Sequence, residues 1–204
     1  MTQSIRIDSC IGWQVDCFRQ LLFSQFLFPI PNNLDKTNPL SLLIIKDRGD
    51  KMNKKIEAYE LMLLQLKGLL EAESNWIANL ANSSALLNET LEDTVFAGYY
   101  LFEEGELILG PFQGRVSCTR ITLGKGVCGE SAEKKTTLIV PNVKEHENYI
   151  SCDSAAMSEI VVPMVVDDQL LGVLDIDSGK TNSYDAIDQK YLEEFAALLV
   201  ASRQ

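Results

Sequence analysis

Three cysteines share one segment of the chain: Cys118 in "VSCTRITL", Cys128 in "GKGVCGE" and Cys152 in "ENYISCDS". Such a set admits three readings, namely a metal site, packing inside a core, or thiols that exchange electrons. Zinc would take Cys118, Cys128, Cys152 and His146, the single histidine, as its four ligands. The spacing argues against this, because structural zinc sites pair their ligands as C-x2–4-C knuckles, whereas nine and twenty-three residues separate these cysteines. His146 stands among Lys144, Glu145 and Glu147 and is expected in a solvated loop. Inert packing suits Cys10 and Cys17, since a free cysteine is among the most buried residue types. It suits Cys152 poorly, because "ENYISCDSAAMSE" is a polar stretch, and a thiol exposed there ionises and reacts.

Carboxylates form the second constellation. "LDID" places Asp175 and Asp177 two residues apart on a strand, hence on one face, with Leu174 and Ile176 turned to the core. Two acids on a half-buried face raise one another's pKa, so the pair either holds a cationic ligand group or keeps one member protonated as an acid. Glu159, just before the partner strand, is placed to join them; a solvated sheet edge without a role is the alternative. "GKGVCG" fits the G-x-G-x-x-G dinucleotide pattern, but the short, Lys-rich helix after it does not make the strand–helix–strand unit that the pattern needs. Its glycines read as a tight turn.

The elements that must position these groups follow from periodicity. Ile56, Tyr59, Leu63, Leu66 and Leu70 recur at helical spacing from Met52 on. A second helix is expected over "SNWIANLANSSALL", N-capped by Ser74, with Ile77, Leu80, Ala81, Ser84 and Leu87 on one face. Strands are expected at "TVFAGYYLF", "ELILGPF" and Val116–Leu123, then at "TTLIV" after a short helix over Gly129–Lys135. Residues 141–156 read as a loop carrying Cys152. "EIVVPMVV" and "QLLGVLDID" flank the hairpin turn Asp167–Asp168, with Pro163 marking an edge or a bulge. A last helix from about Tyr184 is expected, N-capped by Ser183, with Ile187, Tyr191, Phe195 and Leu198 inward. The class is α+β: a central antiparallel sheet with helices from both ends of the domain on one face, leaving the other face to build a pocket.

At 204 residues with 46% hydrophobic and 23% charged residues, the chain suits one globular domain. Its net charge of −11 disfavours nucleic acid and anionic membranes as partners. With no apolar run of spanning length and no clean signal sequence, a cytoplasmic protein is expected. Residues 1–51 differ from the rest, with several phenylalanines, the proline-rich "PIPNNLDKTNP" and no sustained period. They are expected to be a poorly ordered extension or a segment not natively translated, with the domain at 52–204 and translation starting at Met52.

"GPFQGRVSCTRITLGKGVCG", "YISCDSAAMSEIVVP" and "LLGVLDIDS", in this order, resemble the free methionine-(R)-sulfoxide reductases, a family built on the GAF fold. The resemblance runs from about Ile56 to the C-terminus. It implies reduction of free L-methionine-(R)-S-oxide through a cysteine sulfenic acid and an intramolecular disulfide, recycling by thioredoxin, a homodimer, and no metal or organic cofactor. By resemblance, Cys152 is the attacking thiol, Cys118 the main resolving thiol and Cys128 a further redox thiol. Glu159, Asp175 and Asp177 match carboxylates that bind the substrate ammonium and assist protonation, and Tyr100 matches a pocket tyrosine. Phe96 stands where the family often has Trp against the substrate methyl group. A non-catalytic GAF-like sensor of a small molecule or of redox state is the alternative reading.

Overall fold

Apolar residues at helical spacing build α1 (Pro39–Ala72), which buries Tyr59, Met62, Leu63 and Leu66 along one stripe. The computed structural model describes residues 39–203. Cys10, Cys17 and most of the 1–51 extension lie outside them, and the boundary drawn at Met52 falls within α1. The described residues from Asp50 on form one compact unit, to which the sheet and the site belong.

α2 (Trp76–Thr90) is capped by Asn75, whose side chain accepts from the Ala78 N–H, and not by Ser74. Its inward face is Asn79, Leu80, Ser83, Ser84 and Leu87, while Ile77 points out. The serines can be buried because each is satisfied: the Ser83 hydroxyl lies 2.8 Å from the Tyr99 hydroxyl, and Ser84 donates to the Leu80 carbonyl at 2.7 Å.

Six strands follow: β1 (Thr94–Glu103), β2 (Glu106–Gly114), β3 (Arg120–Thr122), β4 (Leu138–Val140), β5 (Ser158–Val166) and β6 (Gln169–Ser178). They form one antiparallel sheet in the order β3-β2-β1-β6-β5-β4. Glu104–Gly105 and Asp167–Asp168 turn the two long hairpins with positive φ at both positions, which matches the right-handed strand twist. Pro163 is tolerated because β4 pairs only with Glu159–Val161, so β5 has one neighbour beyond that point, and its register shifts between Met164 and Val165. β3 is shorter than the strand expected over 116–123. Cys118 precedes it in irregular backbone, and the Tyr100 hydroxyl satisfies its carbonyl at 2.9 Å in place of a ladder bond.

α3 (Gly126–Lys134) starts earlier than expected, so Cys128 sits in its first turn. α4 (Ala186–Ser202) is capped by Asp185, which forms a capping box with Asp188. Ser183, the expected cap, is instead engaged with Ser178 and the Lys180 carbonyl. Asp188 also receives the Tyr59 hydroxyl at 2.7 Å and the Lys55 ammonium at 2.5 Å, which ties α1 to the start of α4.

Strand alternation sorts the sheet residues onto two faces. Ala97, Tyr99, Ile160, Val162, Leu174 and Ile176 meet α1, α2 and α4 in one core that includes Leu80, Leu192 and Phe195. Phe96, Tyr100, Val161 and Val173 occupy the opposite face with Val127, Cys128, Val140 and Val143. Asp175 and Asp177 share this second face, under α3 and the loop that carries Cys152.

Candidate active site

Two paired strands set the acidic floor. Glu159 on β5 is opposite Asp177 on β6, and Val161 is opposite Asp175, so all three carboxyls rise from adjacent rows of one face. Each is buried, at 6%, 4% and 8% exposure for Glu159, Asp175 and Asp177. Cys128 comes down from α3, 3% exposed, with its Sγ 3.8 Å from Glu159 Oε1. Asp175 Oδ1 is buried without a hydrogen-bond partner.

Burial and crowding decide the protonation of this group. Burial, then the Asp175 charge, pushes Glu159 well above the usual carboxylate range, and the same two causes raise Asp177. Burial pushes Asp175 up to about 7, opposed by the neighbouring Cys128 thiol and Glu159 carboxyl. The Cys128 thiol is pushed well up by burial and then by the Asp175 charge, so it stays a thiol and a poor nucleophile. Three acids that cannot all ionise make a site able to neutralise a cation and to give up a proton.

The roof is made by two irregular segments joined by a disulfide. Cys118 and Cys152 are bonded to each other with Cα atoms 5.2 Å apart. Neither sulfur is free to ligate zinc in this form. Arg115 Nε donates to Asp153 Oδ2 at 2.5 Å, clasping the same two segments beside the disulfide. The loop is held at two points, to the turn before α3 and to α3 itself: Asn148 donates to the Gly124 carbonyl at 2.9 Å, and His146 Nε2 lies 3.0 Å from Glu130 Oε2. His146 is thus paired and only 25% exposed, which corrects its expected solvated setting. Lys134 and His146 hold the Glu130 carboxyl below its ordinary range.

Between floor and roof lies a cavity of about 20 Å³, bounded by Tyr100, Cys128, Cys152, Glu159, Asp175 and Asp177 among others. Tyr100 therefore lines the cavity, and its hydroxyl also holds the cysteine segment, 2.9 Å from Ser117 Oγ. Phe96 does not reach the wall. It is 1% exposed behind Tyr100 at 6.2 Å between centroids, and stacks on Phe112 at 5.2 Å. Tyr149, Ser117 and Asp153 line the cavity without having been singled out. Ser117 and Asp153 adjoin Cys118 and Cys152 in sequence, and Tyr149 lies three residues before Cys152, so adjacency could have flagged all three; burial and the nearby Asp177 push the Tyr149 phenol up to about 12.

Fold and site together define a GAF-domain protein with a disulfide-bonded cysteine pair over an acidic cavity. The profile of the GAF domain family matches residues 83–201. GAF domain-containing protein A of Dictyostelium discoideum is 49% identical over 71% of this chain and 92% of its own length. Free methionine-R-sulfoxide reductase of Saccharomyces cerevisiae is 43% identical over 74% of this chain and 88% of its own length. The structure of free methionine-R-sulfoxide reductase from Neisseria meningitidis in complex with its substrate superposes with a TM-score of 0.71 at 40% identity, over 73% of this chain and 90% of that one. The chain belongs to the free methionine-R-sulfoxide reductase family of GAF-domain proteins.

Proposed function

We propose that the protein reduces free L-methionine-(R)-S-oxide to L-methionine, with Cys152 as nucleophile and Cys118 as resolving thiol. The observation that carries this reading is the Cys118–Cys152 disulfide standing over three buried carboxyls, one with an unpartnered oxygen. Asp175, with Glu159 and Asp177, accepts the substrate ammonium. The protonated members of the set supply the proton that the sulfoxide oxygen takes up as the Cys152 thiolate attacks sulfur. Methionine leaves and Cys152 becomes a sulfenic acid. Cys118 then attacks that sulfur, water is lost, and the disulfide forms. A thioredoxin-class dithiol restores both thiols by exchange and is itself oxidised.

Between Cys152 and Cys128, environment favours the former as nucleophile. Cys128 lies in the floor among acids that oppose its ionisation, whereas Cys152 is on a loop at the cavity mouth. Cys128 serves as a further redox thiol that exchanges slowly from its protonated state. Phe96 sets the depth of the apolar niche for the substrate methyl group from behind Tyr100. A peptide-linked methionine sulfoxide has no ammonium to neutralise these acids, so the pocket selects the free amino acid. We place the enzyme in the cytoplasm, as a homodimer without metal or organic cofactor.

The test is turnover: oxidation of NADPH coupled through thioredoxin reductase and thioredoxin, dependent on both the protein and free methionine-(R)-sulfoxide. No NADPH oxidation above background with the reduced protein would refute the reading.

A further inference from the structure

We propose that Cys128, Glu159 and Asp175 form a site for a thiophilic divalent cation of the zinc class. One donor atom from each lies within 4.8 Å of the others. Ligands of a tetrahedral zinc ion with bonds of 2.0–2.3 Å stand about 3.3–3.8 Å apart, and Cys128 Sγ already lies 3.8 Å from Glu159 Oε1. Closing the rest of the set takes movements of about 1 Å, within reach of side-chain rotation.

Three further features point to a cation rather than to packing. Asp175 is 4% exposed and lines the cavity, and its Oδ1 is buried without a hydrogen-bond partner, a state that a bound cation relieves. The donors sit on regular elements, the first turn of α3 and the paired strands β5 and β6, so their backbones are fixed before a ligand arrives and only side chains need turn. The cavity of about 20 Å³ between the donors holds about one water or one ion, so an ion fits where the donor atoms converge. A thiolate among the donors selects zinc and its neighbours over magnesium and calcium. This set differs from the one spacing first suggests, because Cys118 and Cys152 bond each other while Cys128 keeps a free thiol. The cation occupies the atoms offered to the substrate ammonium, which makes cation and substrate mutually exclusive.

The experiment uses the full chain carrying Cys10→Ser and Cys17→Ser, with Cys118–Cys152 oxidised, titrated with cobalt(II) chloride and then with zinc chloride. We expect one cobalt per chain with a thiolate-to-cobalt absorption band in the near ultraviolet, discharged by zinc and unaffected by magnesium chloride. Cys128→Ser abolishes the band, while Asp175→Asn and Glu159→Gln keep it but weaken binding by about tenfold or more. Absence of the band, or its survival in Cys128→Ser, would overturn the proposal. Should Cys128→Ser not fold, the two carboxyl variants decide, and binding that neither of them weakens overturns it. The readout is binding, so it stands or falls apart from reductase turnover.

Discussion

Replacing Asp175 with Asn should make the protein more stable and less active, with a pH signature for the first effect. The folded carboxyl has its pKa pushed to about 7 by burial, against an ordinary value of 3.8. A carboxyl whose folded pKa is raised contributes stability that is fully present below its unfolded pKa and is lost as pH rises through the folded one. At pH 8 the folded protein carries a buried charge that the unfolded chain solvates freely. That difference costs up to about 4 kcal/mol, of which nearly 3 accrues between pH 5 and pH 8. Relaxation and water entry reduce the figure, so the variant is expected to gain about 2–4 kcal/mol over the parent at pH 8 and about 1 at pH 5. Asn also removes the charge that raises Glu159 and Asp177, so the gain does not merely move to a neighbour.

The assay is urea unfolding of the disulfide form of both proteins at pH 5, 6, 7 and 8. A stability difference that stays flat across this range refutes the argument from buried charge, whatever its size. The same variant should lose about a hundredfold in kcat/KM for free methionine-(R)-sulfoxide, the loss expected for a desolvated charge-assisted contact of about 2–3 kcal/mol. Gains in stability paired with losses in activity are the usual mark of a strained functional site.

Cys152→Ser should abolish both turnover and sulfenic acid formation. Cys118→Ser should release about one methionine per chain in a single turnover and then stall as a trappable sulfenic acid; a burst that survives Cys152→Ser and is lost in Cys128→Ser would reassign the nucleophile. N-acetyl-methionine sulfoxide and the S epimer of the free amino acid should be about a hundredfold or more poorer in kcat/KM, the first for want of an ammonium, the second because inverting sulfur exchanges oxygen and methyl; equal kcat/KM for the acetylated compound removes the case for a zwitterion-selective pocket. Arg115→Ala should leave the melting temperature nearly unchanged, since the Arg115–Asp153 pair is largely solvated on the arginine side. It should lengthen the sulfenic acid lifetime about threefold or more, because the pair holds the two cysteine segments together before the disulfide forms; an unaltered lifetime makes the pair incidental.

What the sequence revealed of this site follows from what periodicity and chemistry can encode. Asp175 and Asp177 could be placed on one face because a strand fixes alternation, and Leu174 and Ile176 fill the opposite core as that alternation requires. The helix caps were each misplaced, at Ser74 and Ser183, because Ser, Asn and Asp compete on nearly equal terms and only tertiary hydrogen bonds choose among them. The strand expected over Val116–Leu123 begins only after Cys118, at Arg120, for a similar reason. Its residues have strand propensity, but Tyr100, eighteen residues earlier, takes the carbonyl that a ladder would have used. The Arg115–Asp153 clasp and the His146–Glu130 pair left no local signal, since each joins residues far apart in sequence with ordinary surface composition around them.

The disulfide form also orders the proposed cycle. Its cavity of about 20 Å³ accepts about one water, far short of the several hundred cubic ångströms of an ordinary small-molecule pocket, so in the proposed cycle methionine sulfoxide does not enter while Cys118 and Cys152 are joined. The bond closes a loop across 34 positions, and by restricting the unfolded chain it stabilises the folded state by about 4 kcal/mol, comparable with what buried Asp175 costs. Reduction removes that constraint from the segment bearing Cys152 while the charge penalty beneath it persists. Substrate ammonium relieves the penalty once it reaches Asp175, so binding energy and the release of strain act at the same step. In the proposed cycle the reductant therefore acts first and the sulfoxide second, and each turnover returns the chain to the closed, more stable state from which thiol–disulfide exchange releases it.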